Sequence, residues 1–380
     1  MNFDLTAEQE AILAMTRGFA ADRIAPHALK WDMDKHFPVD VLAEAGALGL
    51  GGIYTREDVG GTGLGRLDAV LIFEALAEAC PTISAYISIH NMCVWMIDCF
   101  GSEDQRRRFC PQLVTLEHRI SYCLTEPGAG SDAAALTTRA ERDGDEWRLT
   151  GQKQFISGAG SSSVYLVMAR TGGPGPKGIS CFLMPGDAPG LSFGANERKM
   201  GWNAQPTRSV QMEGVRLGPD ALLGAEGAGF SIAMAGLDGG RLNIAACSLG
   251  GAGAALARTL VYMAERKAFG RRLTEMQALQ FRLADMKIRL EAARSFLWRA
   301  AAALDAKAPD ATVLCAAAKR FVTDTGFDIA NDALQLHGGY GYLSDYGIEK
   351  IVRDLRVHQI LEGTNEIMRL IVARSLTEAK

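Results

Sequence analysis

Residues 120–133 read ISYCLTEPGAGSDA. The run Gly128-Ala129-Gly130-Ser131-Asp132-Ala133 matches by letter the G-x-G-x-x-A fingerprint of a dinucleotide-binding βαβ unit. That reading would make the chain an α/β protein, and it fails on context. A strand precedes the glycines, but no long apolar-periodic helix follows and no βαβ unit surrounds them. A strand and a glycine-rich bend remain. The bend is either a connector, or a cradle that offers the Thr125 and Ser131 hydroxyls and backbone N–H groups to an anion or to the edge of a flat ring.

The same stretch marks a change of character. From Ile120 to about Phe230 the chain is rich in Gly, Pro and Ser. Short runs there (EWRLT, KQFIS, VYLVMAR, ISCFLM, SVQME) have strand composition, separated by turn residues as in LTGQK and GGPGPKG. Before it the chain reads helical. Thr6-Ala7-Glu8-Gln9 has the form of a capping box, and Ile12, Met15 and Phe19 follow at helical spacing. Asp68 to Cys80 is a second helix, stopped by Pro81, and the glycine-rich GGIYTREDVGGTGLGR is a loop. After Asp238 the chain turns helical and alanine-rich. Leu279, Leu283, Met286, Leu290, Ala293, Leu297, Ala300 and Leu304 recur in alternating steps of four and three. This heptad seam predicts a long bundle helix and suggests packing against another subunit. Further helices are expected over Thr312–Leu336 and Asn365–Leu376. The expected class is α+β: a helical domain over 1–120, a small β domain over 121–232 and a helical bundle over 233–380.

Composition narrows the function. With 380 residues, 48% hydrophobic and 22% charged, the chain has ample material for a core. A net charge of -4 argues against a nucleic-acid binder. No run reaches the eighteen apolar residues of a membrane span, and the start MNFDLTAEQEAIL lacks the layout of a signal or transit peptide. The eight scattered cysteines read as reduced thiols, so a cytoplasmic enzyme is expected.

Several motifs could carry chemistry. Asp238-Gly239-Gly240-Arg241 would let a ligand approach the backbone, with the Arg binding a phosphate or orienting an acyl chain; the plainer reading is a solvated loop before a helix. Glu265 to Arg272, ERKAFGRR, is a basic turn after a helix, either a dipole complement or a pyrophosphate clamp. His337-Gly338-Gly339-Tyr340-Gly341-Tyr342 ends a helix with more glycines than a stop requires. The six histidines show no metal spacing. Glu362, in HQILEGTNEIMRL, stands just ahead of a helix N-terminus on a turn that Gly363 makes possible. The helix dipole favours its charged form, and burial beside Ile360 and Leu361 favours the neutral one. Such a carboxylate is either a solvated acid or a base poised to remove a proton from carbon.

Together YCLTEPGAGSD (122–132), GQKQFISGAG (151–160), ERKAFG (265–270), QLHGGYGY (335–342) and ILEGTNEIMR (360–369) closely resemble the acyl-CoA dehydrogenase family, in family order and over essentially the whole chain. Within it, TGGPGPKGISC, GWNAQPTR and LDGGRLNIA look most like members acting on short branched-chain thioesters. The resemblance implies the acyl-CoA dehydrogenase fold: an N-terminal helical domain, a middle β-barrel-like domain and a C-terminal four-helix bundle. It also implies a homotetramer with FAD held between the middle and C-terminal domains, without a Rossmann motif.

Residue by residue, the family's catalytic base falls on Glu362. Tyr122, Leu124, Thr125, Gly130 and Ser131, with Phe155, Ile156 and Ser157, fall where the family holds the flavin ring and ribityl chain; the family commonly has Trp at the position of Phe155. Arg266, Phe269, Gln277, Gln335, Leu336, Gly338 and Gly339 fall where a neighbouring subunit grips the FAD pyrophosphate and adenine. Thr364, Asn365 and Glu366 also match FAD contacts. Substrate contacts map to Ser131, Asp238, Gly239, Gly240, Arg241, Gly363 and Arg374; branched-chain relatives carry Asn where Asp238 stands. The implied reaction is α,β-dehydrogenation of an acyl-CoA, isobutyryl-CoA to methacrylyl-CoA in valine catabolism, with electrons leaving to an electron-transfer flavoprotein. Butyryl- and 2-methylbutyryl-CoA are alternative substrates. Rival readings are an oxygen-reducing oxidase of the same superfamily and a silent acyl-CoA-binding scaffold.

Overall fold

The computed structural model describes residues 4–377. Six helices come first: α1 (Ala7–Phe19), α2 (Ala28–Asp34), α3 (Val39–Ala47), α4 (Arg66–Ala79), α5 (Pro81–Phe100) and α6 (Glu103–Val114). The capping box at α1 is formed: the Thr6 N–H donates to Gln9 Oε1 at 3.1 Å and the Gln9 N–H to Thr6 Oγ1 at 3.2 Å. Pro81 both ends α4 and begins α5, because its missing N–H costs nothing in a first helical turn. The expected helix stop is thus also a helix start.

The middle of the chain holds β1 (Ile120–Cys123), β2 (Arg139–Asp143), β3 (Glu146–Ser157), β4 (Val164–Arg170), β5 (Ile179–Pro185), β6 (Leu191–Phe193), β7 (Thr207–Leu217) and β8 (Leu222–Leu223). They form one sheet in the order β6-β7-β3-β2-β4-β5-β8, with β1 parallel to β4. A single pair, Arg139 with Arg170, joins its two halves. The halves close over a shared core in a barrel-like way, where Trp147 of β3 meets Phe182 of β5 edge-on at 5.1 Å. The run VYLVMAR is apolar throughout because both its faces are covered. Tyr165, Val167 and Ala169 enter the β core, while Val164, Leu166 and Met168 pack with residues of α5 and α6.

EWRLT and KQFIS are one strand, not two strands around a turn. Gly151 continues β3 at φ +150, and a β-carbon there would lie 2.7 Å from the Thr138 Cα. The glycine serves a bulged strand and a close neighbour rather than a reversal.

The remaining elements are α7 (Gly229–Glu265), the hairpin β9 (Lys267–Ala268) and β10 (Arg271–Arg272), α8 (Gln277–Asp305), α9 (Ala311–His337), α10 (Ile348–Arg356) and α11 (Asn365–Thr377). Helix α7 starts earlier than its sequence suggested, so Asp238–Arg241 lie inside it and not in a loop ahead of it. The heptad seam is used within the chain. Met286, Leu290, Ala293, Leu297 and Ala300 are buried in the core that α8 shares with α4, α7 and α9, and Leu279, Leu283 and Leu304 pack against it. Among the described residues, α5 and α7 are long and apolar enough to cross a membrane, but most of each is buried inside the protein.

The C-terminus of α8 caps α4. Asp305 accepts from the Arg66 N–H at 2.7 Å and from the Leu67 N–H at 3.1 Å. Asp305→Ala orphans both donors and should lower stability by about 1 kcal/mol, read as a shift in denaturant midpoint; Asp305→Asn, which keeps one acceptor, should lose less.

Candidate active site

The loop after β1 is built on a buried ion pair. Lys153 Nζ donates to Glu126 Oε1 at 2.8 Å and to the Leu124 carbonyl at 3.0 Å. Glu126 also accepts from the Thr137 N–H and hydroxyl and from the Thr138 N–H, at 2.7, 2.8 and 2.9 Å. Burial pushes the Glu126 carboxyl up, but Lys153 and these donors outweigh it and hold the group at about 2. The loop is thereby pinned at its root, while β-carbons added at Gly128 or Gly130 would meet nothing within 4 Å. Its outer face is open.

A bulge in β3 supplies the second rim. Its pairing with β7 shifts between Lys153 and Ile156, and the Gln154 N–H donates to the Thr125 carbonyl at 2.9 Å. The extra residue, Phe155, sits at φ +59 and is 63% exposed. A bulky side chain held in the left-handed region and turned to solvent is strain maintained by its surroundings. Between the two rims stands Tyr122, whose hydroxyl is buried without a partner.

Glu362 closes the site from the C-terminal side. Part of the residue is accessible, yet both carboxylate oxygens are sealed and neither has a hydrogen-bond partner. Burial pushes its carboxyl up to about 7, against the opposing charges of Lys319 and Arg241. The expected cause of burial was wrong in detail, because Ile360 is 51% exposed. The walls come from α5 and α7 instead. A β-carbon at Gly240 would lie 2.7 Å from Glu362 Oε2 and 2.8 Å from Met92 Sδ. Gly239 is equally constrained, with the Arg66 guanidinium 2.3 Å from the place a β-carbon would take. Arg66 stacks on Tyr54 and Trp95, 3.7 and 4.6 Å from the ring centroids.

Of the residues expected at the site, Tyr122, Gly240, Arg241 and Glu362 meet in this pocket. Arg241 is buried and donates to Asp238 at 2.6 Å, and Thr312 donates to the other Asp238 oxygen at 2.6 Å. Arg266, Gln335, Leu336, Gly338 and Gly339 line a separate groove of about 500 Å³, where the Arg266 guanidinium lies 5.3 Å from the Tyr340 ring centroid. Phe269, 97% exposed, and Gln277, also exposed, contribute to neither. Thr364 and Glu366 line a third groove, of about 580 Å³. Asn365 lines the same groove, with its side chain bonded to Lys319, Thr323 and Asp324. Arg374 lies on the exposed face of α11.

The sequence reading missed Lys153, Glu126, Met92 and Lys319. Strand alternation from Trp147 and Leu149 places Lys153 inward, and Lys319 interrupts a buried helical face of Cys315, Ala316, Ala318 and Val322. Both lysines were therefore legible as buried cations.

Three family models cover this chain: the acyl-CoA dehydrogenase N-terminal domain matches residues 6–117, the middle domain 121–215 and the C-terminal domain 227–377. The chain belongs to the acyl-CoA dehydrogenase family. It is 54% identical to mitochondrial isobutyryl-CoA dehydrogenase of Bos taurus over 374 residues, 98% of this chain and 90% of that one. Among solved structures, butyryl-CoA dehydrogenase from Megasphaera elsdenii matches with a TM-score of 0.96 at 35% identity, over 99% of this chain and 100% of the other. A chain solved in work on the electron transferring flavoprotein of Acidaminococcus fermentans matches with a TM-score of 0.97 at 37% identity, over 99% of each. The protein is thus a flavin-dependent oxidoreductase of acyl-CoA thioesters, and its cofactor is FAD. The residues present fit that cofactor. An open glycine bend, an outward Phe155 and the orphaned hydroxyl of Tyr122 suit a flat, polar-edged group.

Lys153→Met removes the counter-ion of Glu126 and leaves its buried charge on the Thr137 and Thr138 donors alone, and should cost about 3–5 kcal/mol by denaturant unfolding. The double variant Lys153→Met/Glu126→Gln should recover much of the loss.

Proposed function

We propose that the protein oxidises isobutyryl-CoA to methacrylyl-CoA with Glu362 as the base. The observation that carries this reading is the sealed, partnerless Glu362 carboxylate against Gly240. A carboxylate without hydrogen-bond donors keeps its lone pairs for a proton on carbon, and a dry pocket raises its proton affinity to a useful range. The 54% identity to an isobutyryl-CoA dehydrogenase supports the acyl group.

Glu362 takes the α-proton of the thioester. Its backbone N–H polarises the thioester carbonyl, so negative charge developing on that oxygen is met by a fixed donor. Gly240 and Met92 confine the acyl chain beside the carboxylate, which orients the α-carbon and excludes water. The loop at Thr125–Ser131 and Phe155 would hold the flavin ring of FAD, and the groove at Arg266 and Gln335–Gly339 its phosphates and adenine; the cofactor would supply the acceptor for the β-hydride. The exposed Phe269 supports completion of that groove by a second copy in a homotetramer. Electrons pass to an electron-transfer flavoprotein, a reading supported by the likeness to the Acidaminococcus chain. We read the pathway as valine catabolism, in the mitochondrion or, in a cell without one, the cytoplasm.

The test is the visible spectrum of the anaerobic protein before and after isobutyryl-CoA is added. Bleaching of the flavin band is expected, faster with isobutyryl- than with butyryl- or 2-methylbutyryl-CoA; a faster rate with either competitor would reassign the acyl group. Glu362→Gln should keep FAD and abolish bleaching. The carboxylate is the active form, so the reduction rate in the wild type should rise with pH through about 7. Arg266→Ala should shed FAD on dialysis, and full retention would remove Arg266 from the clamp.

A further inference from the structure

One buried cation stands behind the base. Lys319 lies in the first half of α9 with no accessible surface. Its Nζ donates to the Gly363 carbonyl at 2.8 Å and to Asn365 Oδ1 at 2.9 Å. Asn365 is held in turn by Thr323 at 3.0 Å and Asp324 at 2.6 Å. The ammonium therefore ties down the turn from Glu362 to the first residue of α11. That turn needs holding, because Glu362 itself sits at φ +54, where a residue with a β-carbon is strained.

The ammonium does not bond the carboxylate, whose oxygens are both unpartnered. A direct ion pair would occupy the lone pairs that must receive a proton. A cation bonded instead to the adjacent carbonyl acts through space and leaves those lone pairs free. One other cation, Arg241 of α7, acts on Glu362 through space, less strongly than Lys319; it is paired with Asp238 through one nitrogen and does not hold the 362–365 turn. Tyr54, Tyr122 of β1, Cys93 of α5 and Cys247 of α7 are all raised by burial and stay neutral near pH 7. Lys319 faces Asp324 of its own helix and Glu366 of α11, and forms no carboxylate salt bridge among the described residues. Burial pulls it down to about 8, opposed chiefly by Glu362, which leaves it protonated at neutral pH.

We propose that Lys319 is a positioning residue for Glu362, fixing the 362–365 turn and supplying the positive charge that keeps the carboxylate available as a base in a dry pocket. This rests on reading Glu362 as that base. The test uses FAD-loaded Lys319→Met and Lys319→Gln, the second retaining a donor for the Gly363 carbonyl without charge. The Glu362 carboxyl is titrated by infrared difference spectroscopy, its band identified by loss in Glu362→Gln. In both variants its proton affinity should rise at least about tenfold, and the acid limb of flavin reduction by substrate should move to higher pH by the same amount. Lys319→Gln should keep more of the maximal rate than Lys319→Met. An unshifted Glu362 titration in both variants overturns the charge role, and wild-type maximal rates in both overturn the positioning role. If Glu362→Gln reduces its flavin normally, the base reading falls separately, and the carboxyl titration still decides whether Lys319 governs Glu362.

Discussion

A carboxylate taken out of water without a single hydrogen bond is the constraint around which this site is built. Isolated, such a group is expensive, and a protein normally gives it donors or leaves it in solvent. Here the oxygens of Glu362 have neither, and the surroundings offset the cost at a distance. Lys319 supplies charge through the turn. His358, four residues earlier, supplies rigidity. It accepts from Trp202 Nε1 at 3.2 Å, so its proton is on Nδ1, which faces Ser248 Oγ at 2.6 Å. Burial, followed by Lys319, holds this imidazole down to about 3, neutral throughout the working range.

Three parts of the chain must meet for the site to exist. Glu362 comes from the turn between the C-terminal helices, the open loop and Phe155 from the sheet, and Met92 from the N-terminal helices. Asp354 binds these parts together. It accepts from the Trp202 N–H at 2.7 Å, from Lys350 at 2.6 Å and from Thr82 at 2.9 Å, one donor from each part. A buried carboxylate with three donors is the opposite of Glu362, and the contrast separates a group placed for architecture from one left free for chemistry.

The layering of helices, sheet and helices was legible in the sequence because periodicity and turn composition are local signals, and the heptad seam of α8 and the capping box of α1 fell where expected. The errors arose where a glycine served a neighbour and not its own backbone. The local pattern suggests a turn at Gly151 and a loop at Gly239-Gly240, because close approach by Thr138, Arg66 and Glu362 leaves no mark in it. At the site, Glu362 was visible as a pre-helix acid, but the walls that bury it are remote in sequence. Lys319 and Lys153 were readable as charges on inward faces; their partners, a carbonyl in a distant turn and Glu126 in a loop, were not.

The wall that Gly240 presents to Glu362 is main chain, and main chain cannot be resized by mutation. A pocket bounded on one side by bare helix backbone has one fixed jaw and one adjustable jaw, here Met92 on α5. Every residue larger than glycine at 240 would press on the acid itself, so the space beside the carboxylate is set by side chains on other elements, Met92 of α5 among them. The backbone of α7 therefore holds one side of this pocket constant, while the side chains around it remain free to vary.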